Sequence, residues 1–263
     1  MPPARRPPGA SRSAAASSAR LAAAAWAIVV PVLDEAEALP GLLAELQGLD
    51  LVARTIFVDN GSADGGPELI RAAGATLLHE PRRGYGYPCL TGARAAAAAG
   101  ARVVVFLEAD GTDDPAQARA LAGPVLAGVA GLAIGSRRRA VRGASPGHMP
   151  LHQRLGNDWL ALNLWLFFGL RLSDDGPYRA IRLDLLERLR LEERAYAFPT
   201  EMAVKARLAG ARIAIRDTRY RERSGDSKIA GTWRGSALAV RDIFWCLLRL
   251  GLFGFRPRRE PRQ

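Results

Sequence analysis

Five short apolar runs, about 20 to 30 residues apart and separated by helix-like stretches, constrain this chain more than any other feature. The first is Ala27-Ile28-Val29-Val30, suited to a buried strand. Leu39, Leu42, Leu43 and Leu46 follow at helical spacing. Thr55-Ile56-Phe57-Val58 is a second strand, stopped by the turn composition Asp59-Asn60-Gly61-Ser62. A helix is predicted over 68–73, a strand over 75–78 and an Ala-rich helix over about 89–99. A strand over 103–107 runs into Glu108-Ala109-Asp110-Gly111, and Pro115 opens another helix. Leu132-Ala133-Ile134 is the fifth strand. This alternation predicts an α/β fold with a mostly parallel central sheet flanked by helices.

Sheets of that kind bind ligands beyond the carboxyl ends of their strands. The acidic turns Asp34-Glu35, Asp59 and Glu108–Asp110 all fall at such ends. Each alone reads as a polar surface turn; three on one edge predict a shared site. Glu108 and Asp110, separated by one residue, can both reach a divalent ion or the phosphates bound to it, and hard oxygen ligands suit Mg²⁺ or Mn²⁺. A basic counterpart lies in Arg221-Glu222-Arg223-Ser224-Gly225-Asp226-Ser227-Lys228. Arginine makes forked contacts to phosphate and lysine a point-charge contact, although by itself such a segment reads as a solvated loop. Asp174 and Arg179 stand five residues apart on a turn, which taken alone reads as an exposed ion pair.

The second half is more helical. Trp159–Leu170 is densely apolar but too short and interrupted to span a bilayer. In a helix over about 234–252, Arg234, Arg241, Asp242 and Arg249 share one narrow face, and Ile243, Phe244, Leu247, Leu248 and Leu250 cover most of the rest. That pattern fits either a helix in a membrane interface or one packed on the sheet or a second subunit. No run of 18 apolar residues exists, so no spanning segment is predicted.

With 263 residues, 49% hydrophobic and 24% charged, the chain can bury a large core. Two cysteines and three histidines exclude a metal-rich cluster. The net charge of +11 is concentrated: residues 1–24 carry four arginines and no acid, and 256–263 carry four arginines and one glutamate. Residues 1–24 read as a disordered basic arm. The charge favours an anionic membrane surface; no nucleic acid is expected, because no basic region is interleaved with stacking aromatics. There is no Walker A loop, and Gly84-Tyr85-Gly86 lacks the third glycine of a dinucleotide fingerprint.

The stretches Ile28–Glu35, Val58–Asp64, Phe106–Pro115, Ile134–Arg137, Asp174–Arg179 and Arg223–Lys228, in this order, resemble the family 2 glycosyltransferases. The resemblance is greatest to the polyprenyl-phosphate, dolichyl-phosphate mannose synthase-like branch, and it covers about 27–236. It implies a GT-A fold over 25–235, followed over 236–263 by an amphipathic helix and basic tail. It implies a nucleoside-diphosphate sugar donor, Mg²⁺ or Mn²⁺, and inverting transfer to a polyprenyl phosphate at the cytoplasmic face of a membrane. Pro31, Leu33, Glu35 and Asp59 look like the base and ribose contacts, and Ala109 like a further nucleotide-sugar contact. Glu108, Asp110 and Thr112 look like the metal positions, with Asp110 also catalytic. Arg137, Arg223 and Lys228 look like diphosphate contacts, and Asp174 and Arg179 like the acceptor-side catalytic pair. The chain departs from the family at Asp34, where Asn is usual, at Asn60 and Glu108, where Asp is usual, and at Thr112, where the branch often has Gln. Three other readings compete: a transferase acting on a soluble hydroxyl compound or growing glycan, a non-catalytic nucleotide-sugar-binding protein, and a basic nucleic-acid binder.

Overall fold

The computed structural model describes residues 25–137, 151–172, 175–219, 221 and 233–255, without the side chains of 151–155, 157 and 233–237. The basic arm, Asp174, Arg223, Lys228 and the 256–263 tail lie outside the described residues. Seven strands form one sheet: β1 (Trp26–Val32), β2 (Thr55–Asp59), β3 (Thr76–His79), β4 (Val103–Phe106), β5 (Leu132–Ser136), β6 (Arg179–Arg182) and β7 (Ile213–Asp217). Their order is β3-β2-β1-β4-β6-β5-β7. Only β6 runs against the others, pairing antiparallel with β4 and β5. The sheet is therefore mostly parallel, as the alternation predicts.

The eight described helices are α1 (Leu39–Gly48), α2 (Gly66–Ala72), α3 (Gly86–Ala98), α4 (Ala118–Leu126), α5 (Leu151–Phe168), α6 (Leu183–Leu189), α7 (Phe198–Leu208) and α8 (Trp233–Phe253). Pro115 opens a 3₁₀ turn, Pro115–Gln117, which feeds α4. Strand side chains alternate between faces, so the core has two halves. One buries Ile28, Val30, Phe57, Val103 and Val105 against α1, α2 and α4. The other buries Val29, Ile56, Val58 and Phe106 against α3 and the four later helices. A three-layer arrangement results. Both cysteines are buried and unpaired.

Close approach of α3 to the sheet depends on Gly92, where a Cβ would meet Val29 Cγ1 at 2.4 Å. Helix α8 buries Cys246, Leu247 and Leu250 in the same core half as α5 and α7. Its inner side is thus packed on the body of the protein. No described helix is long and apolar enough to cross a membrane.

β6 and β7, with α6 and α7, complete the fold beyond the five predicted strands. β6 reads Arg-Ala-Ile-Arg and β7 ends in Arg-Asp, so neither presents a long apolar run. Helix α7 buries Glu201 and Lys205 among its apolar residues, which interrupts the usual pattern.

Candidate active site at the carboxyl edge of the sheet

β1 sits between β2 and β4, where the chain reverses its direction of travel across the sheet. Such switch points open a crevice beyond the strand ends. Val32 pairs in register with Asp59, and the Leu107 N–H donates to the Val29 carbonyl. The turns after β1, β2 and β4 therefore meet at one edge. A cavity of about 510 Å³ opens there. Pro31, Leu33, Glu35, Glu108, Ala109 and Asp110, all predicted site residues, line it together.

The carboxylates are positioned by local bonds. Asp34 adopts φ 48° and accepts from the Ala63 N–H at 2.7 Å, while its own N–H donates to Ser62 Oγ at 3.0 Å. Asp59 accepts from the Ser62 N–H at 2.9 Å and lies 3.0 Å from His79 Nδ1. Burial acts to raise the Asp59 pKa, but the bonds from Ser62 and His79 prevail and hold it below the ordinary value. Asp59, predicted as a nucleotide contact, is not among the cavity-lining residues, whereas its neighbour Asn60 is. Asn60 Nδ2 donates to the carbonyls of Glu80 and Arg82, and its Oδ1 accepts from the Gly84 N–H. An ionised Asp could not make the first two bonds, which accounts for the amide here.

Asp110 is buried, and its Oδ1 accepts from both the N–H and the hydroxyl of Thr112, at 3.0 and 2.7 Å. Thr112 thus orients the Asp110 carboxylate. Glu108 takes a hydrogen bond from Tyr85, and its backbone N–H donates to Asp113 Oδ2 at 3.2 Å. Burial, reinforced by the charges of Asp110 and Asp113, pushes Glu108 up to about 8, against a lesser opposing effect of Arg137. Among the described residues, no group of three or more His, Cys, Asp or Glu is arranged to hold a metal. The donor set instead fits a hard divalent cation that takes one or two carboxylates and completes its shell from phosphates and water.

Arg137 approaches Gly176, with Nε 3.5 Å from the position of a Cβ there. Arg179, at the start of the antiparallel strand, comes to the same edge opposite Phe106. Its guanidinium is nonetheless buried and bonded to Asp175 Oδ1, the Gly176 carbonyl and the Pro199 carbonyl. Its ion-pair partner within the described residues is therefore Asp175, and Thr200 completes that carboxylate with a 2.6 Å bond. Arg221 pairs with Glu45 and Asp114, and its N–H donates to the Thr112 carbonyl.

Tyr85, Pro88, Ala195, Tyr196 and Pro199 also line the cavity and escaped sequence reasoning. One signal was available in Gly84: a Cβ there would meet the Arg194 carbonyl at 2.5 Å, so the glycine admits the 192–196 segment to the wall. The Gly86 N–H donates to that same carbonyl at 3.0 Å.

Comparison with known proteins agrees with this architecture. The Glycosyl transferase family 2 model matches residues 27–190. An uncharacterized glycosyltransferase of Mycobacterium tuberculosis is 34% identical over 226 residues, covering 86% of this chain and 98% of the relative. The undecaprenyl-phosphate mannosyltransferase of Micrococcus luteus is 31% identical over 221 residues, covering 80% and 89%. Among solved structures, M. tuberculosis glucosyl-3-phosphoglycerate synthase in complex with Mg²⁺ and UDP superposes with a TM-score of 0.64 at 21% identity, covering 94% of this chain and 85% of that one. The fold is GT-A, and the chain belongs to glycosyl transferase family 2.

Proposed function

We propose that this glycosyltransferase moves a sugar from a nucleoside-diphosphate donor to a polyprenyl phosphate, with inversion and with Mg²⁺ or Mn²⁺, at the cytoplasmic face of a membrane. The observation that carries the donor half is the convergence of Glu108 and Asp110 with Pro31, Leu33 and Glu35 on one cavity. The acceptor half is supported by the likeness to a mannosyltransferase whose name specifies undecaprenyl phosphate.

Pro31, Leu33 and Glu35 cradle the base and ribose, and Asp59 stiffens the turn at Ser62. Asp110, oriented by Thr112, and Glu108, held by Tyr85, are the carboxylates for the cation. The cation supplies neutralisation of the departing diphosphate. Arg137, whose charge acts on Glu108, serves the same diphosphate, and Arg223 and Lys228 are assigned to it as well. An oxygen of the acceptor phosphate forms the new bond to the anomeric carbon as the bond to the donor diphosphate breaks. That oxygen is already anionic at neutral pH, so no base is needed. A hydroxyl acceptor would need one, and Asp174 would then be the candidate. Buried Arg179 fixes the floor beside Pro199 rather than meeting the acceptor directly.

The test is a panel of nucleotide sugars with purified protein, Mn²⁺ and a short-chain polyprenyl phosphate. One donor should give a polyprenyl-phosphoryl sugar, and chelation should abolish it. Transfer only to hydroxyl acceptors would reject the lipid-phosphate reading. Donor binding without turnover on any acceptor would reject catalysis.

A further inference from the structure

Sixteen large hydrophobic side chains are exposed among the described residues, and eleven of them lie on just two helices, α5 and α8. On α5 they are Trp159, Leu162, Trp165, Leu166 and Phe167, while Leu160, Leu164 and Phe168 face the core. On α8 they include Phe244, Trp245, Leu252 and Phe253, while Cys246, Leu247 and Leu250 face the core. The two helices pack against each other. Phe167 is 70% exposed, Trp245 60% and Phe253 83%. An apolar surface this concentrated needs a partner.

We infer that the joint outer face of α5 and α8 is the surface by which the protein docks on an anionic lipid bilayer. The aromatic content is that of a membrane interface, where Trp rings lie at headgroup depth. The rim is basic. Arg171 stacks on Trp165, with its guanidinium 6.0 Å from the ring centroid, and Arg241 is exposed on α8. Asp158 and Asp242 are the acids on these helices, and Asp242 is paired with Arg241 at 2.8 Å. In sequence, α8 leads into Arg256, Arg258, Arg259 and Arg262 with a single Glu260. An anionic bilayer attracts basic segments of this composition.

The inner side of α8 connects this face to the cavity. Arg249 pairs with Glu192, Glu193 and Glu201. Glu201 also accepts the backbone N–H groups of Glu192 and Glu193. The segment so held continues into Ala195 and Tyr196, which line the cavity wall. The docking face and the cavity thus share one supporting segment, as a membrane-held acceptor requires. That use rests on the lipid-phosphate reading; docking itself does not.

The experiment is vesicle flotation of the full chain without donor or acceptor. It compares pure phosphatidylcholine with mixtures containing phosphatidylglycerol, at low and high salt. The protein should float with phosphatidylglycerol vesicles and lose most of that binding at high salt. The double variants Trp165→Ser/Phe167→Ser and Trp245→Ser/Phe253→Ser should each lower the vesicle partition at least about tenfold. Circular dichroism and donor binding should stay unchanged. No flotation of the native chain, or equal flotation of the variants, would overturn the inference. A native dimer that these variants split, with no flotation, would assign the face to a second copy. Docking with no transfer to any lipid phosphate would instead reject the acceptor reading and leave the docking face standing.

Discussion

Two groups of charge flank the cavity and the helix joint, and they are built on contrary principles. At the end of β4, Glu108, Asp110 and Asp113 crowd like charges around the cavity, with Glu108 pushed up to about 8 by burial and those neighbours. Between α7 and α8, Glu201 and Lys205 are fully buried but lie 2.8 Å apart with opposite charge, and Arg249 adds a second cation to the cluster. Lys205 Nζ also donates to the Arg190 carbonyl at 2.8 Å. The first group gathers like charges, which suits a site that receives a cation. The second pairs opposite charges, Lys205 and Arg249 against Glu192, Glu193 and Glu201, which suits a joint. Burial alone does not identify a functional charge; the local balance does.

Four substitutions or titrations test that contrast. Asp110→Asn should lower transfer by about 10³-fold or more, since one carboxylate for the cation is gone. Its melting temperature should match or exceed that of the native protein, because a like charge has been removed. Retained activity would break the comparison at its first member. Lys205→Met should do the reverse: it leaves Glu201 buried without its nearest cation and should cost about 3–5 kcal/mol in urea unfolding. A neutral effect would show that Arg249 suffices.

The third test is pH. The Glu108 carboxyl favours its proton in the folded state, relative to an ordinary value of 4.5. Its contribution to stability is therefore complete below that ordinary value and is lost as pH rises through about 8. Metal-free protein should melt lower at pH 9 than at pH 6, Mn²⁺ should offset the difference, and Glu108→Gln should flatten it. The smallest effect is expected at Glu80, whose carboxylate is held down to about 2 by Arg82 and Thr91. Glu80→Gln should cost about 1–2 kcal/mol at neutral pH. The native contribution is present above 4.5 and disappears as pH falls toward 2, opposite in sign to Glu108. Denaturation midpoints measured from pH 2 to 6 would check it.

The first half of the molecule was largely legible. β1, β2 and β4 are parallel neighbours buried on both faces, so they read as plain apolar runs such as Ile28–Val30 and Val103–Phe106. The acids following β1, β2 and β4 sit where such strands must end. The second half was not legible in the same way. β6 reverses direction and begins with buried Arg179, whose partners Asp175, Gly176 and Pro199 come from its own turn and from α7. An arginine that reads as a surface residue became part of the floor because the fold supplied three acceptors. Tyr85 and Tyr196 line the same cavity from segments about a hundred residues apart, and no spacing rule links them.

Local chemistry thus determined the strands of the first half, their mostly parallel arrangement and the acids at their ends, because those features follow from period and turn composition over a few residues. Tertiary packing decided which charges face the cavity and which are sealed, that Arg179 answers to Asp175, and that one side of α8 joins the core while the other stays bare. These outcomes depend on the desolvation and pairing of groups distant in the chain, and such energies exist only once the layers have closed.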